Sequence, residues 1–462
     1  MSPYSPATRN LNGPYHEQRH ATLQNNRPGP MEALTLVALV PLAAAIGLWA
    51  VQRPARLVGI YAAIMPFGST FALPLGLPRS FTTVSSIVGG AATLSLAWDL
   101  ARRRLNGPPV TVATALWLLM LGLAAASTAW SIRPAATIDD IYVLGSLVAF
   151  YLLVAIYPFT KRDLWFIADG IVVGSALTGA YATLLALTSN LPQTGAGVAR
   201  FEITGAGGGE GGDPNITAAA LLLGFSVALH SAFRSDVPAR QRLSYLAAAA
   251  LTGTGIALTA SRGGLLAMAV VVAYTVLTHR RGVLTIFALA IVTIPVPLLV
   301  PDTFAERADN TGSTGRTGIW EIALESCPEY CATGSGFGTF PFVHERSVLT
   351  TPDATATKLR FQAHSIWLEA LVEMGVIGLA LLVGAMLALG KDLWRIPIDA
   401  RDGALAALIA LAITSSFLSN TTFKYFWLVV MYGTIVVNVY RFDGNSRQND
   451  RVMSARPIGD RL

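Results

Sequence analysis

The sequence predicts an all-α polytopic membrane protein of about 12 transmembrane helices (11 to 13), with one large extracytoplasmic loop that contains short helices. Three observations predict it. Only 13% of the 462 residues are charged and 53% are hydrophobic, with a mean hydropathy of +0.52; a soluble chain carries about a quarter charged residues. Apolar runs recur near the length that crosses a hydrocarbon core of ~30 Å. The runs are continuous rather than alternating with a period of two, which argues against a β-barrel.

Residues 1–30 are polar, with several Asn, Gln and Arg, and read as a disordered tail. The first apolar run begins too late for a cleavable signal peptide, and no small-residue cleavage pattern follows it. Transmembrane helices with short loops then fill 31–300. The predicted spans are 31–51, 57–77, 82–100, 111–130, 141–158, 164–188, 215–233, 243–260, 263–278 and 283–300. Segment 57–77 is the weakest, because Pro66, Pro74 and several Gly and Ser interrupt it; it reads as a short or re-entrant piece. The large loop is 301–363. C-terminal spans follow at 364–389, 403–420 and 423–440, and 441–462 reads as a cytoplasmic tail.

Charge gives the orientation. The net charge of +6 sits mostly in short clusters between apolar runs, the pattern of membrane topology rather than of nucleic-acid binding. Arg102-Arg103-Arg104, Lys161-Arg162, the Arg234 to Arg242 stretch, His279-Arg280-Arg281, and Lys391 with Arg395 share one side if the later helices alternate. That side is read as cytoplasmic. The opposite side receives 131–140, 189–214, 261–263 and the large loop, whose five Lys or Arg against eight Asp or Glu suit a translocated segment. The arginine-bearing tail conflicts with strict alternation over 13 spans, so either it crosses or one early segment does not span.

The chemistry-bearing residues lie in the loops on that opposite side. In Ser261-Arg262-Gly263-Gly264 a charge sits between two apolar runs; Arg262 either binds a phosphate through its planar fork or snorkels to lipid headgroups. Arg316 opens a helix whose stripe is Ile319, Trp320, Ala323 and Leu324, opposite Glu321 and Glu325, after a turn at 312–315. That helix is expected to lie on the membrane surface. A cation at a helix start makes sense beside an anionic ligand, or as half of a salt bridge. His364 heads the next apolar run, with Glu369 and Glu373 following it; it is either a base toward a sugar hydroxyl or a helix-start histidine bonded to backbone. His344 is a weaker candidate.

Arg200 opens a glycine-rich stretch that ends at Asp213-Pro214-Asn215, where Asp213 or Asn215 can cap the following helix. Cys327 and Cys331 can close a small disulfide on an oxidising face if the geometry permits; two thiols alone cannot complete a zinc site. Gly334, Gly336 and Gly338 lack the Lys and the strand-to-helix context of a nucleotide loop. The large loop has no Asp-x-Asp or His-x-x-x-His metal spacing.

Together these pieces resemble the O-antigen ligase and O-antigen polymerase superfamily of membrane glycosyltransferases. The resemblance rests on Asp213-Pro214-Asn215, Ser261-Arg262-Gly263-Gly264, Gly315-Arg316 with Trp320, and Gly334 to Gly338. It continues with His364, Leu368-Glu369 and Glu373-Met374-Gly375, so order and spacing agree from about 200 to 390. Ser365 departs from it, since the family more often has Asn after the histidine. The resemblance implies a multi-pass inner or plasma membrane enzyme acting on the periplasmic face. It implies transfer of a glycan from undecaprenyl pyrophosphate to an acceptor hydroxyl on a lipid or a glycan, among membrane lipids. Arg262, Arg316 and, with less support, Arg200 would hold the pyrophosphate, and His364 would be the base. No metal, cofactor or nucleotide sugar is expected. A lipid-linked saccharide transporter or flippase, and a protein O-oligosaccharyltransferase, are the alternatives.

Overall fold

Helix starts and stops follow local chemistry throughout the chain. A computed structural model describes residues 49, 52–67, 83–103, 107–192, 199–203, 212–279, 316–350, 360–419 and 421–454. The tail 1–30, nearly all of span 31–51, span 283–300 and the turn at 312–315 lie outside the described residues. Among these residues every regular element is helical: α1 Pro54–Ile64, α2 Val84–Arg103, α3 Val112–Ser127, α4 Pro134–Ile156, α5 Lys161–Leu187, α6 Pro214–Ser231 and α7 Ala239–Leu258. They continue with α8 Arg262–Thr278, α9 Arg316–Glu325, α10 Cys327–Tyr330, α11 Phe340–Thr350, α12 Ile366–Trp394, α13 Ile398–Ser415 and α14 Lys424–Ser454. Five of these (α2, α4, α5, α6 and α12) are long and apolar enough to cross a membrane.

The described part of segment 57–77 is helix α1 followed by a 3-10 turn at Met65–Phe67 around Pro66; 68–77 lie outside the described residues. α4 begins at Pro134, two turns before the apolar run at 141, because Pro134 takes the first helical position. Thr160 starts α5 with a reciprocal capping box to Asp163. α14 continues past 440 as helix to Ser454, beyond the apolar run.

α6 is the hub. It packs on α5, α7, α8 and α13, and every one of its residues except Asn215 is buried. A helix buried all round reads as apolar on all faces, which is how its sequence runs. Helices approach closely at small residues: a Cβ on Gly264 of α8 would sit 2.5 Å from Cβ of Ala218 on α6.

The connections sort into two ends. At one end Asp99 accepts from Tyr157 at 2.9 Å, Ser235 donates to Asp399 at 2.7 Å, and Arg234 lies over the Trp165 ring at 3.4 Å. Arg441 pairs with Asp392 there. These contacts gather the basic clusters near 103, 161, 234, 391 and 441 at that end, the charge asymmetry that orients membrane bundles. The turns at 188–203, 258–262 and 360–366, and the start of α6, lie at the other.

Candidate active site

Five chain segments meet at that other end. Asp213 caps α6: its Oδ1 accepts from the Asn215 amide N–H at 2.7 Å and from Asn215 Nδ2 at 3.0 Å. The Asn215 side chain then accepts from Ser261 Oγ at 2.8 Å, and Ser261 Oγ caps α8 by accepting from Gly264 N–H at 3.3 Å. Arg262 is therefore the first residue of α8, not a residue in an open turn. Its side chain is exposed. Two sequence motifs 46 residues apart are thus tied by one hydrogen bond.

Arg200 supports the same turn. Its guanidinium is buried, with Nε donating to Thr259 O at 2.8 Å and Nη2 to Ala260 O at 3.5 Å. Ala260 has φ +48°, a conformation that L residues adopt at a cost, and it directly precedes the Ser261 cap. Two N–H groups of Arg200 face backbone carbonyls, so the residue shapes the approach to Arg262. Nearby Glu202 has its carboxyl pushed up, chiefly by burial and further by Asp213, against lowering by the Gly212 N–H and Arg200.

His364 shows the same construction: a residue at φ +48° followed by a serine at the helix N-cap, Ser365 before α12. Holding histidine in that region costs of order 1–3 kcal/mol and concentrates at functional sites. The ring is half-buried. Burial pushes its pKa below the usual value; the Arg316 charge lowers it further, while Asp213 raises it. Arg316 and Asp213, from two other segments, are therefore each within electrostatic reach of His364. On the far side of His364, Trp367 Nε1 donates to Ser416 Oγ at 3.0 Å. The next residue, Phe417, is the neighbour a Cβ on Gly263 would meet at 3.1 Å. This brings α12, α13 and the start of α8 together.

Arg316 begins α9. Of the expected stripe, Ile319 and Ala323 are buried, but in a core with Tyr330, Phe340, Val343, Ala363 and Val372. The stripe thus packs on protein rather than on a membrane surface, and Leu324 is 58% exposed. Trp320 Nε1 donates to Ala363 O at 3.0 Å, the residue before His364. This bond fixes α9, and with it Arg316, beside the histidine.

The large loop is held by a break in α12 that the sequence pattern hides. Gly375 has φ 69° and ψ −173° inside the helix. The carbonyls and N–H groups freed there bind the loop: Ser335 N–H donates to Val372 O at 2.9 Å, Gly336 N–H to Glu373 O at 2.9 Å, and Val376 N–H to Cys331 O at 2.9 Å. Glu373 itself caps α11, accepting from Gly338 N–H and Phe340 N–H at 2.9 Å each. Its carboxylate is thus engaged by backbone, away from the proton chemistry of His364. The glycines at 334, 336 and 338 all have positive φ, and a Cβ on Gly338 would lie 2.0 Å from Asp140 Oδ2. This glycine run is a docking strap. The signal that could have found it is Glu373 with Gly375 inside an apolar run, where a membrane span needs neither.

A disulfide joins Cys327 and Cys331, with Cα atoms 4.4 Å apart, just beside this junction. His344 is buried against the Phe361 ring, 5.4 Å centroid to centroid. A cavity of about 560 Å³ lies next to the disulfide turn, between Leu123, Trp130, Tyr330, Met374 and Ile377. None of Arg200, Arg262, Arg316 or His364 lines it.

Residues 247–383 match the family model described as O-antigen ligase. The match supports the O-antigen ligase and polymerase superfamily, and a glycosyltransferase of that general type. It spans Arg262, Arg316 and His364 but not Arg200 or Asp213. No curated protein matches the chain.

Proposed function

We propose that this chain, with its O-antigen ligase region at 247–383, transfers a glycan from undecaprenyl pyrophosphate to an acceptor hydroxyl at the outer face of the membrane. The acceptor oxygen attacks the anomeric carbon of the donor sugar and its proton passes to the His364 imidazole. The bond from that carbon to the phosphate oxygen breaks, and undecaprenyl pyrophosphate leaves with the electron pair.

The observation that carries this reading is the convergence of Arg316 and Asp213 on His364, with Arg262 tied to Asp213 through Asn215 and Ser261. Arg262 and Arg316 each open a helix, where the dipole favours an anion and disfavours a cation. A diphosphate between them satisfies both the helix ends and the guanidiniums. Fixed cations at the leaving group lower the barrier because charge develops there. Arg200 acts as a positioning residue, through the carbonyls of the turn that sets Arg262.

A lowered pKa leaves the His364 ring neutral near pH 7, the form a base requires. The reaction as written needs no divalent cation, and full activity in chelator is expected. The test is transfer by purified H364A and R316A, each compared with wild type for insertion and for product. Normal insertion with unchanged polymer amount and length in both variants sinks the assignment.

A further inference from the structure

We propose that His230, His279 and Asp402 form a binding site for a divalent transition metal of the zinc class, at the bundle end opposite the Arg262, Arg316 and His364 cluster. The three residues come from the last turn of α6, the residue after α8, and the first turns of α13. One ligand atom of each lies within 4.8 Å of the others. His230 and Asp402 are buried, and His279 is half-buried.

The hydrogen bonding around them is that of a ligand set without its centre. His230 Nδ1 meets Ser226 O at 2.8 Å, which places a proton on Nδ1 and leaves a lone pair on Nε2; Thr275 Oγ1 lies 3.1 Å from that Nε2, but its hydroxyl also has Val271 O to donate to at 2.8 Å. A carbonyl behind the second ring nitrogen is the usual support of a metal-binding histidine. Asp402 Oδ1 accepts from Tyr274 OH at 2.9 Å, the matching support for a carboxylate. Two of the three inner atoms lack an aligned hydrogen bond. His279 Nε2 and Asp402 Oδ2 lie 3.3 Å apart, yet both are buried without an aligned hydrogen bond. Ligand atoms on a tetrahedral centre with bonds of about 2.1 Å sit about 3.4 Å apart. Buried atoms without an aligned partner are costly unless a further group beside them engages both.

Two imidazoles and a carboxylate select zinc, cobalt, nickel or copper over calcium or magnesium. The charged neighbour is Arg401, whose Nε is 3.5 Å from Asp402 Oδ1 and not from the Oδ2 that faces His279. Its Nη1 also donates to the carbonyls of Trp394 and Ile396. The site joins α6, α8 and α13, so a bound ion acts as a structural clamp and takes no part in the transfer step.

The test uses the full chain in detergent, free of any affinity tag, stripped with chelator and titrated with Co2+ alone. Wild type is expected to take up one Co2+ with the visible bands of a four-coordinate nitrogen and oxygen site, displaced by Zn2+. H279Q and D402N are expected to weaken uptake by at least ~10-fold, and Y274F by about 10-fold. Zn2+ is expected to raise the melting temperature of wild type but not of H279Q. If D402N does not accumulate, H279Q decides, because that side chain is half-buried. H364A is expected to bind Co2+ as wild type does, which separates this site from the transfer reading. No uptake by wild type, or equal uptake by wild type and H279Q, overturns the proposal.

Discussion

At the scale of single residues, His364 is where geometry and electrostatics meet. A base works in its neutral form, so transfer is expected to rise with pH through the His364 pKa and level off above it. That pKa lies below the ordinary histidine value, first because of burial and then because of Arg316. R316Q removes a cation that disfavours protonation, so its acid limb is expected to move to higher pH. D213N removes the opposing charge and is expected to move the limb to lower pH. A pH–rate profile on each purified variant checks both signs; equal limbs in all three proteins would contradict the role given to the ring. Arg200 makes a different prediction. R200K keeps a positive charge but loses the Nε donor to Thr259 O. It is expected to lower kcat by about 10- to 100-fold through misplacement of Arg262, with the protein folded and inserted.

At the scale of elements, the break in α12 organises the loop. A Cβ on Gly375 would lie 2.5 Å from Ala332 O at a backbone angle that L residues avoid. G375A is therefore expected to destabilise by about 1–3 kcal/mol, seen as a lower melting temperature, and to loosen 327–340. E373Q has one acceptor oxygen where Glu373 uses two, so one of the Gly338 and Phe340 N–H groups loses its partner, and a loss of about 1–2 kcal/mol is expected. These features also mark what was legible. The apolar runs located α2, α3 and α5 to α8 to within about a turn of helix, and α4, α12 and α13 to within about two turns, because a span must be continuous and uncharged. The break was hidden because one glycine in an apolar run does not disturb periodicity. The fate of Glu373 and Arg200 was hidden because both act on backbone groups, which no side-chain pattern reports. The packing of Ile319 and Ala323 on protein was hidden because helical spacing gives a face but not what covers it.

At the scale of the whole molecule, the two ends of the bundle carry different chemistry. Asp99, Arg234, Asp392, Asp399 and Arg441 form pairs at one end. The capped starts of α6 and α8, with the start of α12, stand at the other. Positive charge is retained on the cytoplasmic side, so the capped end is expected to face out. In intact cells, a membrane-impermeant maleimide is expected to label S189C at that end and not R240C at the basic end. Both positions are exposed, and the native cysteines are paired. The reverse labelling pattern would place the cluster on the wrong side for a lipid-linked donor.

The most direct measurement is transfer in a purified system: wild type, H364A and R316A with a polyprenyl-pyrophosphate glycan and an acceptor, in chelator. Wild type is predicted to release the polyprenyl pyrophosphate in step with product. Each variant is predicted to be slower by about 100-fold or more, within the range of a lost general base or charge-stabilising donor. Folded variants that transfer at the wild-type rate would contradict the account.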